Sequence, residues 1–362
     1  MPAILVLEDG SLFPGVSVAA EGERVGEVAF DTAVVGYEGM VTDPSNAGKI
    51  LVLTYPLIGN YGIANKFLES QRCFVGALAI KEKSRIFSNW QAEDSLESFM
   101  KKENAIVISG IDTRTLAVKI RDKGEMLGMV STMGSDKAAL MKRLKEHKKR
   151  FKKDHIRLIS VKKATRLEGA CGGPRIAIIE LGILNGFVRQ LKSLKCDITL
   201  LPYNTSADMI LGSKFDGLII SNGPEADAAL PGVVKTVKGV LGKLPVLGIS
   251  LGHEIICLAL GGKISRMKVG HHGVNYPVKF PSSYKGVITV QNHSYVVDEK
   301  SLKGKRSVKI TSRNINDNTV EGMESARLKF ISTQYYPLSP GFDEVSEVFK
   351  RFVAITRKER TF

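Results

Sequence analysis

The sequence contains few cysteines for its length, four among 362 residues. They form no Cys-x-x-Cys pair and no zinc-like spacing, so neither a disulfide scaffold nor a structural zinc site is predicted. They are expected to be reduced thiols, and no other cluster of metal ligands stands out. The four positions are Cys73, Cys171, Cys196 and Cys257.

Long apolar runs are also missing. No stretch approaches the roughly 18–20 apolar residues that a membrane-spanning helix needs. The first ten residues have no basic region and include the acidic pair Glu8 and Asp9, so no secretory signal peptide is expected. These absences predict a cytoplasmic protein with no membrane partner.

Negative charge is scarce relative to positive charge, since 37 acidic residues stand against 52 lysines and arginines, for a net charge of +15. The excess is local, because residues 137–166 contain thirteen basic residues and two acidic ones. A block of like charge is typical of a solvated helix face or a linker. Nucleic-acid binding is disfavoured, because aromatic residues that could stack on bases are nearly absent from this block.

The hydrophobic pattern divides the chain into three segments. Residues 1–133 contain short apolar runs such as Ala3–Leu7 and Ile50–Leu53, separated by glycine-containing turns, and predict a β-rich domain. Residues 134–174 carry the basic block and are predicted to form a helical linker. Residues 175–356 alternate apolar strands with helices, which predicts a doubly wound, mostly parallel α/β domain with sites at the carboxyl ends of its strands.

The sharpest motif is Gly248-Ile-Ser250-Leu-Gly252, which lies between a predicted strand and a predicted helix. This order is typical of a nucleophile elbow, a tight turn that presents its central residue next to a helix N-terminus. Ser250 is therefore the candidate nucleophile. A serine needs a general base, and none of the six histidines is singled out by spacing. His272 and His293, expected in later loops, stay open as bases.

Around the elbow, Gly248-Ile-Ser250-Leu-Gly-His-Glu254 resembles the Gly-Ile-Cys-Leu-Gly-His-Gln segment of class I glutamine amidotransferases. Within that group, the whole chain is similar to the small subunit of carbamoyl phosphate synthetase, apart from the basic block and the extreme C-terminus. The strings that carry this similarity are Gly36-Tyr37, Thr42-Asp-Pro-Ser45, Leu53-Thr-Tyr-Pro-Leu-Ile-Gly-Asn-Tyr-Gly62, Glu69-Ser70, Gly110-Ile-Asp-Thr-Arg114, Ser221-Asn-Gly-Pro224, Gly270-His-His-Gly273, Gln291-Asn-His293 and Ser339-Pro-Gly341.

The resemblance implies a glutaminase with a Cys-His-Glu triad, and this sequence departs from all three positions. The nucleophilic cysteine is replaced by Ser250. The Gly-His-Pro-Glu string of the family becomes Tyr335-Tyr336-Pro337-Leu338, so Tyr336 stands at the histidine position. The glutamate is either replaced by Leu338 or lost in a one-residue deletion. We therefore expect the glutaminase triad to be lost.

The glutamine pocket implied by the resemblance has changed as well. Glu225 stands where the family has a glycine near its oxyanion hole, and Glu254 and Ser294 replace a glutamine and a glycine. Both glutamates add negative charge where the substrate carboxylate and the oxyanion are expected. The positions that correspond to glutamine contacts are Ser45, Gly223, Glu225, Leu251, Glu254, Asn292, Ser294 and Tyr295.

The resemblance also implies a partner, the ATP-using large subunit, and a role in supplying carbamoyl phosphate for arginine and pyrimidine synthesis. ATP and magnesium would belong to the large subunit, so no cofactor is expected in this chain. The first hypothesis is a pseudo-glutaminase that docks on the large subunit, with free ammonia as the nitrogen source. Its role would be to stabilise the large subunit, to gate free ammonia or to bind a different small molecule in the old pocket. The alternative is an active amidohydrolase that uses Ser250 and delivers ammonia to the large subunit. A third hypothesis is a free-standing protein that binds an acidic partner through the basic block.

Overall fold

The structure, a computed structural model, describes residues 1–134, 136–150, 153–168, 172–281, 286–339, 341 and 344–360. The chain divides into two units. The first comprises Met1–Lys152 together with Lys268–His272, and the second comprises Lys153–Met267 together with Gly273–Phe362.

The first unit is built mainly from short strands. They are β1 (Pro2–Leu7), β2 (Leu12–Ser17), β3 (Glu23–Asp31), β4 (Ile50–Leu53), β5 (Leu57–Ile58), β6 (Ala77–Ala79), β7 (Glu82–Lys83), β8 (Ile106–Ser109) and β9 (Met126–Ser131). Its helices are α1 (Tyr37–Thr42), α2 (Leu96–Lys102), α3 (Thr113–Lys123) and α4 (Lys137–Arg150), with 3₁₀ turns at Pro44–Asn46 and Asn65–Phe67.

Seven of these strands close into a barrel in the order β1-β2-β8-β6-β4-β3-β9. Closure leaves no open sheet edge, and the apolar strands fill the interior with fully buried side chains such as Leu5, Val28, Ile50 and Ile106. The β-rich N-terminal domain predicted from the sequence is thereby confirmed.

The segment predicted as a linker is divided between the two units. Helix α4 buries Leu140 and Leu144 against Ile4 and Met129 of the barrel, while its basic side chains face outward. Residues 153–168 belong instead to the second unit, where Ile156 joins the hydrophobic core. Residues 151–152 and 169–171 of this segment lie outside the described residues.

The second unit contains one large sheet with helices. Its strands are β10 (Thr165–Arg166), β11 (Arg175–Ile179), β12 (Asp197–Leu201), β13 (Gly217–Ile220), β14 (Val246–Ile249), β15 (Lys263–Lys279), β16 (Gly286–Asp298), β17 (Lys309–Asn314), β18 (Val320–Ser325) and β19 (Phe330–Thr333). Its helices are α5 (Ile156–Ile159), α6 (Asn185–Ser193), α7 (Ala207–Gly212), α8 (Leu230–Val240), α9 (Leu251–Ala259) and α10 (Glu347–Arg360), with a 3₁₀ turn at Glu299–Leu302. Among the described helices of both units, none has the length and apolar character needed to span a membrane.

The sheet runs in the order β10-β12-β11-β13-β14-β19-β18-β17-β15-β16. Strands β12, β11, β13, β14 and β19 are parallel to one another. Separate apolar clusters are built on alternate side chains of these strands, such as Ile179 and Ile220 in one and Ile178 and Ile219 in the other. Buried parallel strands covered on both faces are a doubly wound sheet, so the predicted fold class is confirmed. The carboxyl ends of the parallel strands therefore form the expected place for a site.

The antiparallel half of the sheet corrects one expectation. His271, His272 and His293 were expected in loops, but they lie within the long strands β15 and β16. The prediction was wrong because these strands carry many polar residues and lack the continuous apolar runs that identified the parallel strands.

Candidate active site

Ser250 lies in the tight turn between β14 and α9, in the predicted strand–turn–helix order. Its backbone has φ 53° and ψ −107°, a conformation that a non-glycine residue adopts at a cost. The turn is fixed on both sides, because the Ser250 amide donates a hydrogen bond to the carbonyl oxygen of Thr333 at 2.7 Å and the His253 amide donates to the carbonyl oxygen of Ser250 at 2.9 Å.

Two glycines make this turn possible by allowing close backbone approach. A Cβ atom on Gly252 would lie 2.1 Å from the carbonyl oxygen of Ile220, and one on Gly248 would lie 2.6 Å from the carbonyl oxygen of Gly252. Neither oxygen belongs to a flexible side chain, so neither can yield to a larger residue. The Gly-x-Ser-x-Gly spacing therefore has a steric reason that does not depend on the chemistry of residue 250.

His253, although close to Ser250 in sequence, points into the core. Its side chain is fully buried, and Nδ1 lies 2.9 Å from the hydroxyl oxygen of Ser332. Burial lowers the pKa of His253 to about 3, so the imidazole is neutral at pH 7. It is a structural residue of α9 in this conformation.

The two histidines left open as bases are engaged elsewhere. The Nδ1 atom of His293 lies 2.9 Å from the carbonyl oxygen of Tyr295, and its Nε2 atom lies 3.1 Å from the side-chain oxygen of Gln291. His272 belongs to the first unit, where its Nε2 atom lies 2.8 Å from a carboxylate oxygen of Glu125. Within the described part of the second unit, the elbow hydroxyl forms no hydrogen bond with a histidine.

Tyr336 and Leu338 follow β19, the neighbour of β14 in the sheet. Tyr336 is buried and packs edge-on against Phe187, with ring centroids 5.7 Å apart. The half-buried Leu338 packs on the same apolar cluster, which also contains Phe349. The side chain of Gln190 pins the segment, because its Nε2 donates to the carbonyl oxygen of Pro337 at 3.0 Å. Tyr336 and Leu338, which the resemblance places at the histidine position and, if no residue is deleted, at the glutamate position, thus pack against apolar side chains.

Glu225, in the loop after β13, reaches β16. Its carboxylate accepts two backbone hydrogen bonds, from the Ser294 amide at 2.7 Å and from the Tyr295 amide at 3.0 Å. Glu225 is buried, with a relative exposure of 7%. The structure therefore brings together three of the positions that sequence comparison assigned to the glutamine pocket.

The other pocket positions have mixed surroundings. Gly223 lies against the segment that follows β11, where a Cβ atom would be 2.3 Å from the carbonyl oxygen of Leu181. Leu251 is fully buried in the core. Glu254 is also fully buried and accepts a hydrogen bond from Nε2 of Gln334 at 3.1 Å.

The last two pocket positions are Asn292 and Ser45. Asn292 is half-buried in β16. Ser45 lies in the first unit, buried in the 3₁₀ turn that Asp43 caps by accepting a 2.8 Å hydrogen bond from the Ser45 amide.

Glu321, in β18, is a buried carboxyl group that the sequence motifs did not identify. Desolvation raises its pKa to about 8, against the opposing effect of hydrogen bonds from the side chains of Asn314 and Gln291. The only signal available in the sequence was a glutamate next to an apolar strand residue, Val320, which is too common to assign a role. Cys257, whose pKa burial raises to about 12, is an unreactive core residue.

Comparisons with known proteins identify the family of the chain. Residues 5–130 match the family described as carbamoyl-phosphate synthase small chain, CPSase domain, and residues 177–355 match glutamine amidotransferase class-I. The chain is 39% identical over 359 residues to the carbamoyl phosphate synthase pyrimidine-specific small chain of Bacillus subtilis, covering 98% of this chain and 97% of that protein. It is 39% identical to the carbamoyl phosphate synthase small chain of Bacillus caldolyticus, with 98% and 96% covered. It is 38% identical to the chloroplastic small chain of Oryza sativa, with 99% and 83% covered. The chain belongs to the family of carbamoyl phosphate synthase small chains.

Proposed function

We propose that this protein is a carbamoyl phosphate synthase small subunit that does not hydrolyse glutamine and serves as a non-catalytic partner of the large subunit. The observation that supports the proposal is the apolar packing of Tyr336 and Leu338, which the resemblance assigns to the positions of the base and, if no residue is deleted, of the orienting carboxylate. The elbow presents Ser250, and in the described part of the second unit the ring nitrogens of His253 and His293 lie within hydrogen-bond distance of other groups.

Physical chemistry supports the loss of turnover. A serine hydroxyl is far less acidic than a cysteine thiol, so it depends more strongly on an adjacent base. In triad enzymes, loss of the nucleophile or the base alone lowers kcat by about 10⁴–10⁶. Both ring nitrogens of His293 lie near other acceptors, which argues against a rebuilt Ser250–His293 pair.

Docking on a large subunit is supported by exposed apolar side chains on the first unit. Trp90, the only tryptophan, is 90% exposed and Ile86 is 79% exposed, with Phe67 and Phe87 also on the surface. Side chains of this kind occur at protein–protein contacts, where aromatic anchors carry much of the binding energy. In such a complex, ATP and magnesium would act on the large subunit and free ammonia would supply the nitrogen. A role in pyrimidine or arginine synthesis would follow from its product.

Glutamine turnover by the complex with the large subunit of the same source tests the catalytic half of the proposal. We expect no glutamate release above background and carbamoyl phosphate formation from ammonia. Ser250→Ala is expected to change nothing, and Ser250→Cys alone is expected to restore no turnover, because the base is still absent. Glutamate release that Ser250→Ala abolishes would establish the alternative, an active amidohydrolase.

Co-purification tests the docking half. The double variant Ile86→Ser and Trp90→Ala should weaken binding of the large subunit at least about tenfold, a typical effect of losing anchor residues. Met209→Ser, on another exposed apolar side chain in the second unit, is the control and should leave binding unchanged. If the double variant and the control weakened binding of the large subunit equally, the proposed docking surface would be wrong.

A further inference from the structure

The two hydrogen bonds to Glu225 form a built carboxylate site. Each carboxylate oxygen accepts one backbone N–H, Oε2 from Ser294 at 2.7 Å and Oε1 from Tyr295 at 3.0 Å. In a regular strand successive N–H groups point to opposite sides, so two consecutive groups that converge on one carboxylate require a local departure from strand geometry. Hydrogen bonds to an ionised group are roughly twice as strong as those between neutral groups.

The loop that carries Glu225 is held on both sides of it. Before it, the Ser221 hydroxyl oxygen accepts a hydrogen bond from the Leu181 amide at 2.9 Å and donates to the carbonyl oxygen of Asn222 at 2.8 Å. After it, Ala226 adopts a positive φ of 54°, which is uncommon for a residue with a Cβ atom.

Asp227 then anchors the far end of the loop. Its carboxylate accepts hydrogen bonds from the amides of His155 at 2.7 Å and Ile156 at 3.1 Å. Hydrogen bonds and backbone conformation on both sides of Glu225 therefore fix the position of its carboxylate, which does not move as an exposed side chain would.

We propose that Glu225 is a resident ligand whose carboxylate fills the subsite that a free amino acid would otherwise occupy with its α-carboxylate. The inference rests on the proposed function, because it takes the pocket to be the former glutamine pocket. Ser294 and Tyr295 are two of the positions expected to contact glutamine, and each of their N–H groups can serve only one strong acceptor. A carboxylate on the same chain has a high effective concentration, so free amino acids compete poorly against it.

Chemical rescue tests the resident ligand directly. Glu225→Ala should lower the Tm of the full-length protein, and acetate should raise the Tm of this variant saturably, by about 2–4 °C, because it supplies the missing carboxylate. Acetamide, which has a similar shape and no charge, should not do so. The control Glu146→Ala removes an exposed carboxylate and should show no acetate effect. An acetate effect equal in the wild type and in Glu225→Ala, or absent from both, would overturn the inference.

Two further measurements keep the inference testable if Glu225→Ala folds poorly. In Glu225→Gln, which keeps the side-chain shape, hydrogen exchange at the amides of Ser294 and Tyr295 should accelerate at least tenfold; unchanged exchange would contradict the proposal. Calorimetry with L-glutamine should detect binding to Glu225→Gly and none to the wild type. Binding of L-glutamine to the wild type without turnover would overturn this inference alone, whereas glutamine turnover would overturn both the proposed function and this inference.

Discussion

Ser250 and Tyr336 follow neighbouring parallel strands of one sheet. The elbow side of the site, around Ser250, and the apolar side, around Tyr336, differ in how much of the family pattern they keep. On the elbow side, the glycines, the strained turn and the helix N-terminus are all present. On the other side, Tyr336 and Leu338, which the resemblance predicts to stand near the family's base and carboxylate positions, pack in an apolar cluster. Packing against β13 requires the backbone geometry of the elbow. The fold does not require a polar or ionisable side chain at positions 336 and 338.

The largest loss of stability is expected from a substitution that the tight turn at the elbow cannot accommodate. Gly252→Ala places a Cβ atom 2.1 Å from the carbonyl oxygen of Ile220, and should destabilise the protein by about 4–5 kcal/mol. Urea unfolding followed by circular dichroism measures the change. Gly232→Ala, in α8 with open space around the new methyl group, is the control and should stabilise by up to about 1 kcal/mol. Similar stability of the two variants would show that the elbow is not sterically required.

On the apolar side, the stability of the protein should fall when the side-chain volume of residue 336 is reduced and should change little when only the Tyr336 hydroxyl is removed. Tyr336→Ala removes a buried ring from the cluster with Phe187 and should cost about 3–4 kcal/mol. Tyr336→Phe keeps the ring and should cost less than about 1.5 kcal/mol. Thermal or urea unfolding distinguishes them. A large loss in Tyr336→Phe would mean that the hydroxyl is part of a required polar network, contrary to the packing role.

The two sides should also differ in pH dependence. His253, on the elbow helix, has its pKa lowered to about 3 in the folded state, whereas the unfolded chain takes up the proton near pH 6.5. The unfolded state therefore binds more protons between these values, so stability is present above pH 6.5 and is lost as the pH falls.

The change from pH 7 to pH 4 attributable to this residue is about 3 kcal/mol. Urea unfolding at several pH values should show that His253→Gln loses correspondingly less stability over this range than the wild type does. Tyr336→Phe, with no group that titrates there, should parallel the wild type. Parallel curves for His253→Gln and the wild type would refute the buried neutral state of His253.

The smallest effect concerns the strain at residue 250. Ser250→Gly relieves a backbone conformation that costs about 1–3 kcal/mol, against a glycine entropy cost of about 0.5–1 kcal/mol, so a net gain of about 1 kcal/mol is expected. Ser250→Ala keeps the strain and should stay within about 0.5 kcal/mol of the wild type. Equal stabilities of the two variants, measured as unfolding midpoints, would mean that the turn is not strained.

The elbow was predictable from the sequence because its signals are local. Gly248, Ser250 and Gly252 lie within five residues, between an apolar strand and a helix, and the steric reason for the glycines acts over the same short stretch. The parallel strands were predictable for a similar reason, since each is a short continuous apolar run. The polar strands β15 and β16 were missed, because their apolar residues are too few and too irregular to distinguish them from loops.

The contacts of Glu225 could not be predicted in the same way. The sequence indicated only that a carboxylate had entered the pocket region, and its hydrogen-bond partners lie 69 and 70 residues farther along the chain. Likewise, nothing local to Glu321 indicates that its pKa is raised, because the burial that causes the rise comes from packing within the sheet.

The sequence by itself determined the fold class and the family, because these depend on residue identity and on local patterns of apolar residues and glycines, and it also predicted the loss of the triad. Only the tertiary structure decided that Tyr336 and Leu338 complete an apolar cluster and that Glu225 binds the amides of β16. Those outcomes depend on contacts between residues that are far apart in the sequence. Hydrogen-bond pairing, burial and desolvation arise from such contacts and cannot be read from any single stretch of the chain.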